Sequence, residues 1–289
     1  MASPIKLSNP ATREFWEIDP VYEDEHLLAL NKPARLLSSP DRYDPERPNL
    51  MRLLHEGIAS AKPWAKERDL TYLSNAHRLD FETTGIMLLA KSRPVLVELA
   101  NLFGSNKPIK TYVAFVNGCH AQPKWTVTAP IGPHPHRAGL MRVDPRRGKN
   151  SRTEFTTLEK FGRWSLVSCR PITGRTHQIR VHLQKERLPI CGDTLYGGRP
   201  LKLSAMKKRY DLKEGREERP LLATTALHAE KLELVHPVTG VRLEIKAPWP
   251  KDLVVALKYL RRYSSERPPE PDPTQFPQQS HSPATPSSV

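Results

Sequence analysis

His77–Ala90 reads HRLDFETTGIMLLA, a short polar loop running into an apolar stretch, and another apolar run, LTYLS (Leu70–Ser74), precedes it. Gly85–Ala90 has the length and composition of a buried strand, and Leu70–Ser74 reads as a strand on the near side of the loop. Arg78, Asp80 and Glu82 put three charges on the loop itself. A carboxylate in that place either caps a turn or forms a surface ion pair, or it is held there as a catalytic aspartate. If it is partly buried it needs a cation beside it to stay ionised at neutral pH.

Working outward, VYED and HLLAL on either side of Asp24-Glu25 predict a strand pair that ends at Asn31-Lys32-Pro33. Leu50, Leu53, Leu54 and Ile58 recur at helical spacing, which predicts a helix over 50–60. A second helix is expected over 93–106, with Pro94 in its first turn and Gly104 at its stop. KTYVAFVNG (Lys110–Gly118) alternates and reads as a strand, with Tyr112, Ala114 and Val116 on one face. TEFTTLEKF and WSLVSCRPI pair around Gly162, TGRTHQIRVHLQKE turns into a helix, and Ala226–Pro248 is a hairpin turning at Pro237 and Gly240. Leu253–Tyr263 reads as a closing helix. Long antiparallel stretches with helices between them predict an α+β class, a mixed and largely antiparallel central sheet flanked by helices and loops. There is no internal repeat.

The expected organisation is an N-terminal leader of little structure over 1–20, one folded domain over 21–263, and a disordered tail over 264–289. That tail is about one quarter proline with Ser and Gln between, a composition that buries too little apolar surface to offset chain entropy. Two further segments stand apart. Residues 134–152 hold five arginines, one lysine, two histidines and a single acid, and read as a basic loop or hairpin extension; 199–220 reads as a charged insertion.

The formal net charge is +14. The tail carries Arg267 against Glu266, Glu270 and Asp272, a net of −2, which leaves +16 for the rest. Such a balance points to a polyanionic partner. The cysteines, Cys119, Cys169 and Cys191, are odd in number and none stands at C-x-x-C spacing, so neither a disulfide framework nor a zinc site is expected. Without a signal-peptide pattern or an apolar run of spanning length, a cytoplasmic protein with no membrane association is expected. Neither GxxxxGK[ST] nor GxGxxG occurs, and no cofactor is expected.

Two more segments could carry chemistry. Tyr112 is either a core tyrosine or an aromatic face for a ligand. In RPITGRTHQIRVHL (Arg170–Leu183), Gly174 permits a tight turn, and Arg175, Thr176 and the free N–H groups of the following helix would make an anion site. Arg180 is expected one turn into that helix on the face of Thr176. The alternative is a basic helix start on a solvated face.

Taken together, these segments resemble the RluA family of RNA pseudouridine synthases. HRLDFETTGIMLLAK is similar to that family's signature HRLDxxTSGxxxxAK, and RPITGRTHQIRVHL to a later one. NKPARLL, KTYVAFVNG, GDTLYGG and LHAEKLELVHPVTG follow in the expected order, so the likeness runs over roughly residues 20–250. Thr84 stands where the family usually has Ser, and Arg35 where it often has Gly. The resemblance implies the pseudouridine synthase fold and the conversion of specific uridines to pseudouridine in structured RNA, rRNA or tRNA. It makes Asp80 the catalytic aspartate and Tyr112 the ring that stacks on the target base. Arg180 becomes the partner of the aspartate, Arg78 the side chain that fills the space of the flipped nucleotide, and Ile179 a wall of the base pocket. Each residue type suits its role: arginine cannot deprotonate, and a flipped base needs a π-face. No RNA-binding S4 domain is expected before Val21, and a monomer is expected. Two rivals remain at this point: an RNA-binding protein of the same fold without catalysis, and a sugar-bond hydrolase. The latter needs a second carboxylate, for which Glu82 is the nearest candidate in sequence.

Overall fold

A computed structural model describes residues 3–41, 44–207, 210–212 and 215–264. The tail expected over 264–289 lies, from residue 265 on, outside the described residues.

The chain opens with a hairpin, β1 (Ile5–Asn9) and β2 (Glu14–Ile18), where a leader of little structure was expected. The correction has a simple cause. Ile5, Leu7 and Ile18 are buried against the rest of the protein while their neighbours face water, and so short a period-two pattern is masked by Lys6, Ser8 and Glu17. Strands β3 (Pro20–Glu23) and β4 (Leu27–Lys32) pair as expected. Helix α1 (Leu50–Ala59) is capped by Asn49, whose side chain accepts the Arg52 N–H at 3.0 Å, and a single turn, α2 (Pro63–Lys66), follows. The strand expected over 70–74 shrinks to β5 (Ser74–Asn75).

Strand β6 (Thr84–Ala90) is buried along its whole length. Its two faces serve two cores. Met87 and Leu89 join Leu28, Leu30 and the Leu50, Leu53 and Leu54 stripe of α1. Ile86 and Leu88 join Leu27 and Ala29 of β4, with Val95 and Leu99 of helix α3 (Arg93–Gly104). Strand β7 (Ile109–Asn117) is followed by β8 (Lys124–Thr128) and then by a small hairpin, β9 (Ile131–Pro133) and β10 (Met141–Val143), inside the basic segment. Then come β11 (Arg152–Phe161), β12 (Trp164–Pro171), helix α4 (Gln178–Lys185), β13 (Leu227–Val235), β14 (Arg242–Lys246) and helix α5 (Lys251–Tyr263). The 199–220 segment is not wholly a solvated loop, since Leu201 and Met206 are buried in the core that α5 and β7 share.

The main sheet has ten strands in the order β3-β4-β6-β13-β7-β12-β11-β8, with β14 added to β13 and β5 to β6. Every pair is antiparallel except β6–β13. This is the mixed α+β architecture expected from the sequence. One residue makes the parallel junction possible. Gly85 has φ 110°, and a Cβ there would lie 2.3 Å from the Ala229 carbonyl oxygen. Because Ala229 is also the register partner of Tyr112, this close approach sets the start of β6, and the loop before it, beside β7.

Candidate active site

The loop from His77 to Thr83 is held residue by residue. Asn75 Nδ2 donates to the His77 carbonyl at 2.8 Å. Ser38 Oγ accepts the Leu79 N–H at 3.0 Å and donates to the Leu79 carbonyl at 2.8 Å. The fully buried Lys32 Nζ donates to Pro33, Leu36 and Phe81 carbonyls at 2.7, 2.8 and 3.4 Å. Burial brings that ammonium down to about 7, although the charge of Asp80 pulls the other way. Glu82 Oε2 takes both the Thr225 N–H, at 3.1 Å, and its hydroxyl, at 2.6 Å. Glu82 is thereby a tie to the segment before β13. The loop's other carboxylate, Asp80, points elsewhere.

Asp80 is 19% exposed and faces α4. Arg180 Nη1 lies 3.4 Å from Asp80 Oδ2. That guanidinium is fixed first by Asp193, which accepts Arg180 Nε at 2.7 Å and Nη2 at 2.9 Å and is 1% exposed. Burial alone would lower Arg180, but its bonds to Asp193 and the charge of Asp80 outweigh it and hold the group above its ordinary value. A bidentate fork of this kind sets direction as well as charge. Asp193 belongs to the GDTLYGG stretch, whose chain packs so closely that a Cβ at Gly192 would meet the Thr224 carbonyl at 2.4 Å.

His177 completes the floor. It has φ 55°, an uncommon conformation for a side chain with a Cβ, at the position that precedes α4. Tyr196 Oη accepts the Met141 N–H at 3.0 Å and lies 2.8 Å from His177 Nδ1. Donation of the phenol proton to Nδ1 leaves an Nε2–H facing Asp80 Oδ2 at 3.9 Å. Burial lowers the imidazole from its ordinary value despite Asp80. The Tyr196 ring also lies under Arg180, 4.7 Å from its Cζ to the ring centroid.

Above this floor is a cleft of about 520 Å³. All seven residues singled out from the sequence line it: Arg78, Asp80, Tyr112, Arg175, Thr176, Ile179 and Arg180. Tyr112 enters from β7, and burial together with Asp80 raises its phenol well above the ordinary value. Arg78 is exposed at the rim. The helix-start anion site differs from expectation. The Arg175 N–H is taken by Gln178 Oε1 at 3.0 Å, and Thr176 precedes the helix rather than opening it. Arg180 therefore lies in the first turn of α4. The Arg175 side chain, bonded through Nε to the Asn150 carbonyl at 3.1 Å, still brings charge to that edge.

Asp193, His177, Tyr196 and Lys32 went unassigned in the sequence reading. A lone acid between glycines and a histidine in a polar turn carry no partner information; their signal was confined to the GDTLYGG, TGRTHQ and NKP stretches. Arg35 adopts φ 59°, a conformation in which glycine is at ease, and its guanidinium bonds to the Ala223 carbonyl at 3.1 Å. Thr84 uses its hydroxyl on His228 Nδ1 at 2.8 Å. Arg142, Arg146, Arg147 and Lys149 of the basic segment are exposed, with Asp144 accepting the N–H groups of Arg146 and Arg147. Among the described residues, no group of three or more His, Cys, Asp or Glu side chains is placed to hold a metal ion, and no helix is long and apolar enough to cross a membrane.

Residues 26–185 match the family model described as RNA pseudouridylate synthase. The ribosomal large subunit pseudouridine synthase D of Escherichia coli strain K12 is 34% identical over 255 residues, covering 88% of this chain and 74% of that protein. The protein of the same name from Xylella fastidiosa is 36% identical over 253 residues, covering 86% and 71%. Among solved structures, human RNA pseudouridylate synthase domain containing 4 superposes with a TM-score of 0.62 at 25% identity, over 84% of this chain and 92% of that one.

Proposed function

The chain belongs to the RNA pseudouridylate synthase family and is an isomerase of uridine in RNA, and from that premise we propose that it acts on a flipped-out uridine of ribosomal RNA with Asp80 as its catalytic carboxylate. The names of the relatives, ribosomal large subunit synthases, favour rRNA over tRNA. The observation that carries the role of Asp80 is its position opposite Arg180, a guanidinium held in place by Asp193.

The reaction breaks the C1′–N1 bond, turns the uracil, and forms a C1′–C5 bond. N1 gains a proton and C5 loses one, so nothing is oxidised and no co-reactant is consumed. Asp80 acts either as nucleophile or as base toward the ribose. Arg180 and the His177 Nε2–H orient its carboxylate from one side. Tyr112 offers a face on which the extruded base rests, with Ile179 as the adjoining apolar wall. Arg78 at the rim stacks in the space the uridine leaves and meets the phosphates beside it. Extrusion costs a few kcal/mol, least in loops and bulges. Contacts between the exposed Arg142, Arg146, Arg147 and Lys149 and the backbone offset it.

Tritium release from RNA labelled at uridine C5 tests this directly, with large-subunit rRNA and total tRNA assayed separately. The expected result is release from the rRNA, reduced about 10³-fold or more in Asp80→Asn while RNA binding survives. Undiminished release by that variant removes Asp80 from the chemistry. Release from tRNA alone reassigns the substrate, and appearance of free uracil replaces isomerisation by hydrolysis.

A further inference from the structure

We propose that Lys110 forms a phosphate subsite for the RNA backbone next to the uridine in the cleft; this rests on the reading of the cleft given above. Lys110 is on β7, two residues before Tyr112, and both line the same cleft. Residues two apart on a strand share a face and stand about 7 Å apart along it. The ammonium is thus carried on the same side as the ring proposed to hold the base.

Three observations set this lysine apart. It is half-buried, yet its ammonium makes no hydrogen bond and no ion pair with any described residue. Burial lowers it from its ordinary value, and no carboxylate charge compensates. The neighbouring groups are wrong for a permanent partner. His77 lines the cleft beside it with its Nε2 accepting the Leu88 N–H at 2.9 Å, so the ring is neutral. Across the gap is the Gly174 turn, where an added Cβ would lie 3.8 Å from Lys110 Nζ. A partly desolvated cation with no anion beside it is costly, and that cost is recovered when a ligand supplies the anion. Arg78 and Arg175 line the same edge, which suits a strand of phosphodiesters rather than a lone carboxylate.

The geometry also separates Lys110 from the reaction itself. Asp80 is served by Arg180 and His177, and Lys110 touches neither. Its contribution is to hold the sugar–phosphate on the α3 side of the cleft while the base lies on Tyr112. This makes it a binding residue whose loss is read in affinity and salt dependence.

The test compares wild type, Lys110→Gln and Lys110→Arg for binding to a large-subunit rRNA transcript over a series of salt concentrations. Thermal melting of each variant and the single-turnover tritium-release rate at saturating RNA are measured alongside. Lys110→Gln is expected to weaken binding about 5- to 10-fold at low salt and to flatten the slope of log affinity against log salt by about 0.7 to 0.9. Lys110→Arg is expected to restore both, with melting and the saturated rate close to wild type. An unchanged slope in Lys110→Gln overturns the proposal. So does a lowered melting temperature that Lys110→Arg leaves uncorrected, since that marks a structural lysine. A wild type that releases no tritium from any RNA defeats the catalytic reading instead, and the slope comparison still decides the role of Lys110.

Discussion

At the floor of the cleft the charges are interlocked. Arg180 is forked by Asp193 and turned toward Asp80, while Tyr196 ties His177 to the backbone of β10. At the rim, Arg78, Lys110 and Arg175 have no carboxylate partner among the described residues. The two regions line one cavity, yet they use charge in opposite ways. Buried, mutually satisfied groups hold Asp80, the carboxylate proposed for catalysis, in one geometry before any substrate arrives. Unpaired cations at an edge remain available to an anion that comes from outside. Substitutions at the floor should therefore cost stability and turnover together, and substitutions at the rim should cost affinity alone.

The largest effect is expected at Asp193. Asp193→Asn leaves a buried guanidinium without its main counter-ion and should destabilise the fold by about 3–5 kcal/mol. Turnover should fall with it, because Arg180 is no longer aimed at Asp80. Denaturant unfolding alongside tritium release checks both, and a stable, active variant would break the contrast between floor and rim. Gly85→Ala comes next. Its Cβ would meet the Ala229 backbone, and the position requires φ 110°. A loss of about 2–4 kcal/mol is expected in the same unfolding assay.

His77 stands between the two regions and gives a pH signature. Burial, reinforced by the charge of Lys110, brings it down to about 3 from 6.5. The unfolded chain therefore takes up this proton first. The stability linked to His77 is complete above pH 6.5 and is lost as pH falls from 6.5 toward 3. His77→Gln should flatten the acid limb of the stability curve by about 1.4 kcal/mol per pH unit in that window. The buried His228, lowered to about 4, keeps the remainder of the limb acid-sensitive. The smallest effect is expected at the exposed end of the basic segment. Arg146→Gln should weaken binding to rRNA about two- to fivefold at low salt, leaving the saturated rate and the melting temperature unchanged. A fall in the saturated rate would place the hairpin in the chemistry and sharpen the boundary of the floor.

How far these regions could be read in advance differs for a physical reason. Tyr112, Ile179 and Arg180 stand in segments whose strand or helix periodicity can be seen locally, and Asp80 and Arg78 sit on a loop bounded by a strong apolar run. Asp193 and Tyr196 lie in a stretch with no period, 13 and 16 positions after Arg180. Their roles arise only when that stretch packs under α4. The β1–β2 hairpin escaped notice because its two five-residue strands bury only Ile5, Leu7 and Ile18, and that burial is visible only against the core they share with α1.

From the residues alone came the α+β class, most of the strands and helices, the polyanion-seeking charge and Asp80, Tyr112, Arg175, Thr176 and Arg180 as candidates, while Ile179 and the role of Arg78 came from the resemblance to the RluA family. Each of these follows from local periodicity, from composition, or from a motif that is contiguous in the chain. Tertiary structure decided which carboxylate faces the cleft and which does not. Glu82 and Asp80 are two residues apart and chemically alike, but one is tied to Thr225 and the other is turned toward Arg180. It also decided that the Arg175 N–H is taken by Gln178 and that the Lys110 ammonium has no carboxylate partner among the described residues. Hydrogen-bond satisfaction is settled between atoms distant in sequence, so it appears only once the chain has closed on itself.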